Sequence, residues 1–305
     1  MCFDPDARPP IPPIAGGATD ARDLVLTSGD GTRFAAYAAR AAQPTGAGMV
    51  VLPDVRGLHQ YYKELALRFA EHGVDAIAFD YFARTAGIGD RGESFEYLPH
   101  VAATTPETLQ ADIAAAVAHL RSPEGGAVRA LFSVGFCFGG ALAYLQAPSG
   151  LGYAGVIGFY GWPLGLPRWP DKPKPIDAVA RFACPVLSIY GGGDPGIPPD
   201  AIASFDHALR QAGVVHESVV YDGAPHSFFD RRQTEFADAS ADAWRRVRTF
   251  IAVHRLSADD QLRPLGDRAG RDRGGDEGIG LSGSPPLSLE ETARGIQPTE
   301  RSRWP

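Results

Sequence analysis

The pentapeptide Gly135-Phe136-Cys137-Phe138-Gly139 joins an apolar run directly to the Ala-rich stretch from Gly140 to Gln146. A chain passes from buried strand to helix without an intervening loop only through a very sharp turn, and glycine is the residue that fits its flanking positions. Such a turn pushes its central side chain out of the sheet. Here that side chain is a cysteine, and a thiol at a helix N-terminus is drawn toward thiolate because the helix dipole favours an anion. Cys137 is therefore the first candidate nucleophile. The bland alternative is a small, inertly packed cysteine, and the downstream sequence decides between them.

Phe182 to Tyr190 (FACPVLSIY) reads as a buried strand and runs into Gly191-Gly192-Gly193-Asp194-Pro195-Gly196. Val219 to Tyr221 closes another strand, followed by Gly223-Ala224-Pro225-His226-Ser227-Phe228. Cys137, Asp194 and His226 each lie on the loop after a strand, in the chain order of an α/β-hydrolase triad. Their separations of 57 and 32 residues leave room for the intervening strand and helix units. Loops of this kind gather at the carboxyl ends of parallel strands, where open α/β sheets place their sites.

At these residues the chain resembles the dienelactone hydrolase family. The resemblance spans most of residues 20–255 and is carried by GFCFGG, GGGDPGIP, GAPHSF and the segment LPDVRGL…FDYFAR between Leu52 and Arg84. It implies an α/β-hydrolase fold with a mostly parallel central sheet flanked by helices, a Cys-His-Asp triad, and hydrolysis of lactones or activated esters without a cofactor or metal. Backbone N–H groups of Val55 and Phe138 would then form the oxyanion hole.

Three positions depart from the family pattern. The resemblance puts a glutamate that contacts the resting nucleophile where this chain has the shorter Asp54, so two readings stand: a gating carboxylate, or a turn-forming residue paired locally with Arg56. A substrate-binding arginine is implied four residues after the catalytic histidine, but Asp230 stands there, with Arg231 and Arg232 just beyond. A second arginine is implied in the long loop before the helix carrying Leu109, where Arg84 and Arg91 are available. A carboxylate clamp needs such cations. Tyr97 in that loop, Trp162 with Trp169 after the strand ending at Tyr160, and Phe228 beside His226 are further substrate-contact candidates. The substrate expected is a small ester or lactone, larger or less anionic than a dienelactone.

The remaining chain sets bounds. A net charge of −7 gives no basic field for nucleic acid. Three cysteines form no disulfide framework; Cys184 reads as core and Cys2 as an exposed terminus. The Pro-rich start MCFDPDARPPIPPIAGG lacks an apolar signal region, and no run is long enough to span a membrane. A reducing cytoplasm and a monomer or small homo-oligomer are the expectations. Residues 1–22 read as an extension, 23–256 as the domain and 257–305 as a polar, Gly/Pro/Ser-rich tail unable to bury a core.

Alternating strands and helices fill the domain. The spacing predicts a hairpin at 23–37, strands at 49–52, 74–79, 154–159, 185–190 and 216–221, and helices at 60–72, 200–212 and 235–254. A capping box at Thr104 and Glu107 is expected to open a further helix, and residues 85–105 form a loop long enough to act as a lid. Three rival readings share these residues: a class I glutamine amidotransferase, disfavoured by the Asp194 and His226 spacing; a carboxylesterase or thioesterase with the same triad; and a catalytically silent binding protein.

Overall fold

The computed structural model describes residues 7–166 and 168–262, with side chains in the last helix to residue 256. Two strands, β1 (Ala18–Thr27) and β2 (Arg33–Ala41), form the expected hairpin, with Leu26 opposite Phe34. The others are β3 (Ala47–Leu52), β4 (Val74–Phe79), β5 (Ala130–Phe136), β6 (Tyr153–Phe159), β7 (Val186–Gly191) and β8 (His216–Tyr221). Among the described residues they make one sheet of eight strands in the order β1-β2-β4-β3-β5-β6-β7-β8. Strands β3 to β8 pair in parallel, and β2 runs antiparallel to both β1 and β4.

Burial explains which strands are central. Every residue of β3, β4, β5 and β7 is buried, as strands covered on both faces require. Edge strand β8 alternates between half-buried and exposed positions. The helices are α1 (Gln60–Glu71), α2 (Ala83–Ala86), α3 (Tyr97–Ala103), α4 (Pro106–Arg121), α5 (Phe138–Tyr144), α6 (Pro175–Ala178), α7 (Pro199–Gln211) and α8 (Ala237–Leu262). Helices α1 and α8 meet through Phe69 and Trp244, whose ring centroids are 5.1 Å apart. Gly73, at φ 84°, ends α1 in the left-handed conformation expected of the residue that closes a helix.

Four boundaries differ from expectation. Strand β1 begins at Ala18, Ile11 is 5% exposed, and the Ile14 N–H donates to Glu71 Oε2 at 2.9 Å, so much of the supposed extension belongs to the fold. The capping box sits one residue later, on Thr105 and Thr108, with Pro106 opening the helix. Any small hydroxyl can cap, and Pro106 decided the register because its fixed φ suits the first helical position. Residues 85–105 are folded, carrying α3 and part of α2. Helix α8 runs to Leu262, six residues beyond the expected domain end; residues 263–305 lie outside the described residues. Among the described residues no helix is long and apolar enough to cross a membrane.

Candidate active site

Cys137 stands between β5 and α5 at φ 57°, ψ −115°, a conformation costly for a residue with a Cβ. The glycines around it are required by contact. A Cβ on Gly135 would lie 1.9 Å from the Gly139 carbonyl oxygen, and one on Gly139 would lie 2.1 Å from the Leu52 oxygen. The turn is anchored by the Cys137 N–H, which donates to the Phe159 carbonyl at 3.0 Å. Tyr160 (φ 37°) and Ser227 (φ 63°) are also left-handed. Three of the four non-glycine residues with positive φ among the described residues thus sit on loops that follow β5, β6 and β8.

The acid and the histidine come together as the sequence predicts. His226 Nδ1 lies 2.6 Å from Asp194 Oδ2, with the Asp194 side chain almost fully buried. An ionised carboxylate only accepts, so Nδ1 carries the hydrogen and Nε2 is left as the basic nitrogen of the neutral ring. Asp194 is itself fixed: its Oδ1 accepts the Gly196 N–H at 2.8 Å, and the Gly196 carbonyl accepts Trp162 Nε1–H at 3.0 Å. The Trp162 ring lies 4.9 Å from the imidazole and the Tyr160 ring 4.8 Å from it. Trp162 and Trp169 both line a cavity of about 290 Å³ that Gly196 and Ile197 complete.

The turn after β3 uses its amides selectively. The Asp54 N–H donates to Tyr62 Oη at 3.0 Å, the Arg56 N–H to Asp54 Oδ1 at 2.8 Å and the Gly57 N–H to the Asp54 carbonyl at 3.1 Å. The Val55 amide is not among them. Phe138, as the first residue of α5, has no intrahelical acceptor for its N–H. The turn-forming role of Asp54 is visible in the bond its side chain accepts from the Arg56 N–H, two residues on.

The expected arginines are engaged elsewhere. Arg84 pairs with Asp112 and with Asp30 at 2.8 Å. Arg91 makes a two-pronged pair with Asp80, at 3.1 and 2.9 Å, and its guanidinium lies 4.7 Å from the Phe95 ring. Both depart from the expected substrate-clamp role, since freeing either would strand a buried carboxylate. Asp230, 6% exposed, accepts Tyr160 Oη–H at 3.0 Å and the Arg231 N–H, while Arg231 is exposed. Phe228 is fully buried and packs 5.2 Å from Tyr221 as wall rather than open contact. Tyr97 is half-buried, its ring 5.2 Å from the Arg56 guanidinium.

Four tyrosines escaped the sequence reading. Tyr61 donates to the Phe229 carbonyl at 3.1 Å and Tyr81 to the Pro53 carbonyl at 2.9 Å, while Tyr62 and Tyr160 hold Asp54 and Asp230. Burial, reinforced by these carboxylates, pushes all four hydroxyls well above their ordinary range, so they stay protonated. The available signal was Tyr, rather than Phe, at core positions, since a buried phenol needs a partner. Among the described residues, no group of three or more His, Cys, Asp or Glu side chains is placed to hold a metal ion.

Known proteins resemble this chain over most of its length. Residues 34–254 match the Dienelactone hydrolase family. The Yersinia pestis protein named "Putative carboxymethylenebutenolidase" is 30% identical over 236 residues, covering 75% of this chain and 86% of its own length. A Bradyrhizobium protein named "Probable 2-oxo-3-(5-oxofuran-2-ylidene)propanoate lactonase" is 30% identical over 244 residues, 77% of this chain and 96% of its own. A Klebsiella pneumoniae crystal structure named "Putative Dienelactone Hydrolase" superposes with a TM-score of 0.66 at 27% identity, covering 77% of this chain and 99% of that one. With its α/β-hydrolase sheet and an elbow, acid loop and histidine loop that all fall inside the matched span, the chain belongs to the dienelactone hydrolase family and is a hydrolase.

Proposed function

We propose that this protein cleaves a lactone or activated carboxylic ester through an acyl-enzyme formed on Cys137. His226 takes the thiol proton at Nε2 as Sγ adds to the carbonyl carbon, and Asp194 stabilises the resulting imidazolium. The Val55 and Phe138 amides receive the oxyanion. Collapse expels the alkoxide, which takes the proton from His226; in a lactone it stays tethered to the acyl group. Water, deprotonated by His226, then attacks the thioester, and the carboxylic acid leaves as Sγ regains its proton. The observation that carries this reading is the 2.6 Å contact of His226 Nδ1 with Asp194, reached by residues 32 apart on the loops after β7 and β8.

The acyl or alcohol portion is neutral and apolar. Asp230 occupies the place where the resemblance implies an arginine, Arg84 and Arg91 are held by carboxylates, and the cavity beside Trp162 is walled by indole, proline and aliphatic side chains with Lys174 as its one charged residue. Asp54 is proposed as a restraint on the resting thiol in addition to its turn role. A panel of aryl esters and neutral and anionic lactones tests the assignment. Cys137→Ala and His226→Ala should each cost at least about a thousandfold in kcat, with circular dichroism unchanged. Near-wild-type turnover by Cys137→Ala would overturn the triad. Preference for anionic over neutral substrates would overturn the proposed selectivity alone. Broad turnover of acyclic esters without lactones would favour a general carboxylesterase on the same triad.

A further inference from the structure

A cavity of about 490 Å³ lies along α5 on a face that carries none of the triad. Helix α5 and the residue that caps it turn Phe138, Ala141, Leu142 and Leu145 toward it, and α4 contributes Leu109 and Ile113. These are helical spacings, so each helix presents one continuous apolar stripe to the space. The Phe138 ring packs on Tyr81 at 5.7 Å, and the Trp162 cavity is a separate space that shares only Leu166 with this one.

The polar lining of this cavity is Glu107, Gln110, Gln146, Ser149, Lys172 and Arg181. Gln146 is 3% exposed, its Oε1 has no hydrogen-bond partner among the described residues, and its Nε2 makes a single long bond of 3.4 Å to the Leu142 carbonyl. A buried amide left in that state is costly unless something occupies the space beside it. Arg181 stands at the same end, because the Ala183 N–H donates to the Ala147 carbonyl at 3.1 Å. Arg181 is exposed and has no carboxylate partner among the described residues. At the other end Lys172 donates to the Thr104 and Ala102 carbonyls. Glu107, the cavity's one acid, is turned onto its own helix N-terminus and Thr105, which hold its carboxyl below the usual range.

We propose that this cavity binds an amphiphilic monocarboxylate of medium chain length, with its head on Arg181 and the Gln146 amide and its chain against Leu109, Ile113, Leu142 and Phe138. A guanidinium matches a carboxylate better than any other head group of that size. The volume lies at the lower end of that of small-molecule sites, which suits a single chain. The site contains no triad residue and meets the catalytic turn only through Phe138, whose ring lines it.

Calorimetric titration of the full chain with decanoate, octanoate and decanol tests it. Decanoate should bind saturably and more tightly than octanoate by roughly tenfold for its two extra methylenes. Arg181→Ala should weaken decanoate by about fivefold or more and leave decanol unchanged. Leu142→Trp, which fills the cavity, should weaken both; Ile113→Phe from the facing helix serves if that variant does not fold. Trp162→Ala should leave decanoate affinity unchanged. Absence of saturable binding, or binding insensitive to both Arg181→Ala and the filled cavity, would overturn the proposal. Loss of decanoate binding in Trp162→Ala would place the carboxylate in the catalytic cleft and overturn it equally.

Discussion

His59, at the start of α1, is a buried histidine held uncharged at neutral pH. Burial and the neighbouring Arg56 guanidinium lower its pKa to about 3. Asp54 Oδ1, at 3.9 Å, would favour the cation, but it is beyond hydrogen-bond range and burial prevails. The folded pKa lies below the unfolded value near 6.5, so the unfolded chain binds the extra proton first. The contribution to stability is complete above pH 6.5 and is lost as pH falls from there toward 3. Chemical denaturation of wild type and His59→Asn between pH 7 and 5 checks this. The wild-type slope should be steeper by up to about 1.4 kcal/mol per pH unit, and parallel slopes would count against it. His119 and His254, also lowered by burial, contribute equally to both proteins and cancel. Cys184 provides a contrast within the same chain, since burial raises its thiol to about 12 and it should resist alkylation at neutral pH.

The element that decides the site is the β5-to-α5 turn. Its glycines are needed for close approach rather than for dihedral freedom, since none of Gly135, Gly139 and Gly140 has a positive φ, whereas a Cβ on Gly139 would meet backbone oxygens of Leu52 and Pro53 at 2.1 and 2.3 Å. Backbone cannot retreat as a side chain can, so Gly139→Ala should cost about 3 kcal/mol and lower Tm by roughly 10 °C. Gly29→Ala, whose Cβ would meet nothing within 4 Å, is the control and should stay within about 0.5 kcal/mol of wild type. Equal Tm values for the two variants would refute the steric account. The β3 turn works differently: there side chains consume amides, Tyr62 and Asp54 taking up those on either side of Val55.

For the molecule as a whole, the informative boundaries are the ends. The N-terminal segment is tied to α1, with Ile11 buried, Ile14 bonded to Glu71 and Gly17 against the Glu71 backbone. Deleting residues 1–17 should therefore destabilise the protein by about 2 kcal/mol, the value of one buried aliphatic side chain. A chain ending at Leu262 should keep both Tm and turnover, because residues 263–305 have the composition of a segment without a core face. Thermal melts of the two truncations, beside the full chain, check both expectations. An unchanged Tm for the first, or a lowered one for the second, would reverse the assignment of these ends.

Local pattern located the strand-end loops and the strands they follow. A continuous apolar run ending in G-x-C-x-G admits one backbone path, and β4 and β8 fall where period and turn residues put them, at Val74–Phe79 and His216–Tyr221. The Asp194 and His226 loops were legible because each follows such a strand, and parallel pairing brings those ends together whatever lies between. What the arginines do could only be decided in three dimensions. Arg84 meets Asp30 and Asp112, 54 and 28 residues away, and Arg91 meets Asp80 through a fold in the chain that no periodicity encodes. A long charged side chain carries no local signal of its partner, since its pairing depends on distances set by the packing of other elements. The same holds for Tyr61, Tyr62, Tyr81 and Tyr160: in sequence they are core aromatics, and only the assembled sheet brings the Asp54 amide onto the Tyr62 hydroxyl and turns the other three hydroxyls onto the Asp230 carboxylate and the Phe229 and Pro53 carbonyls.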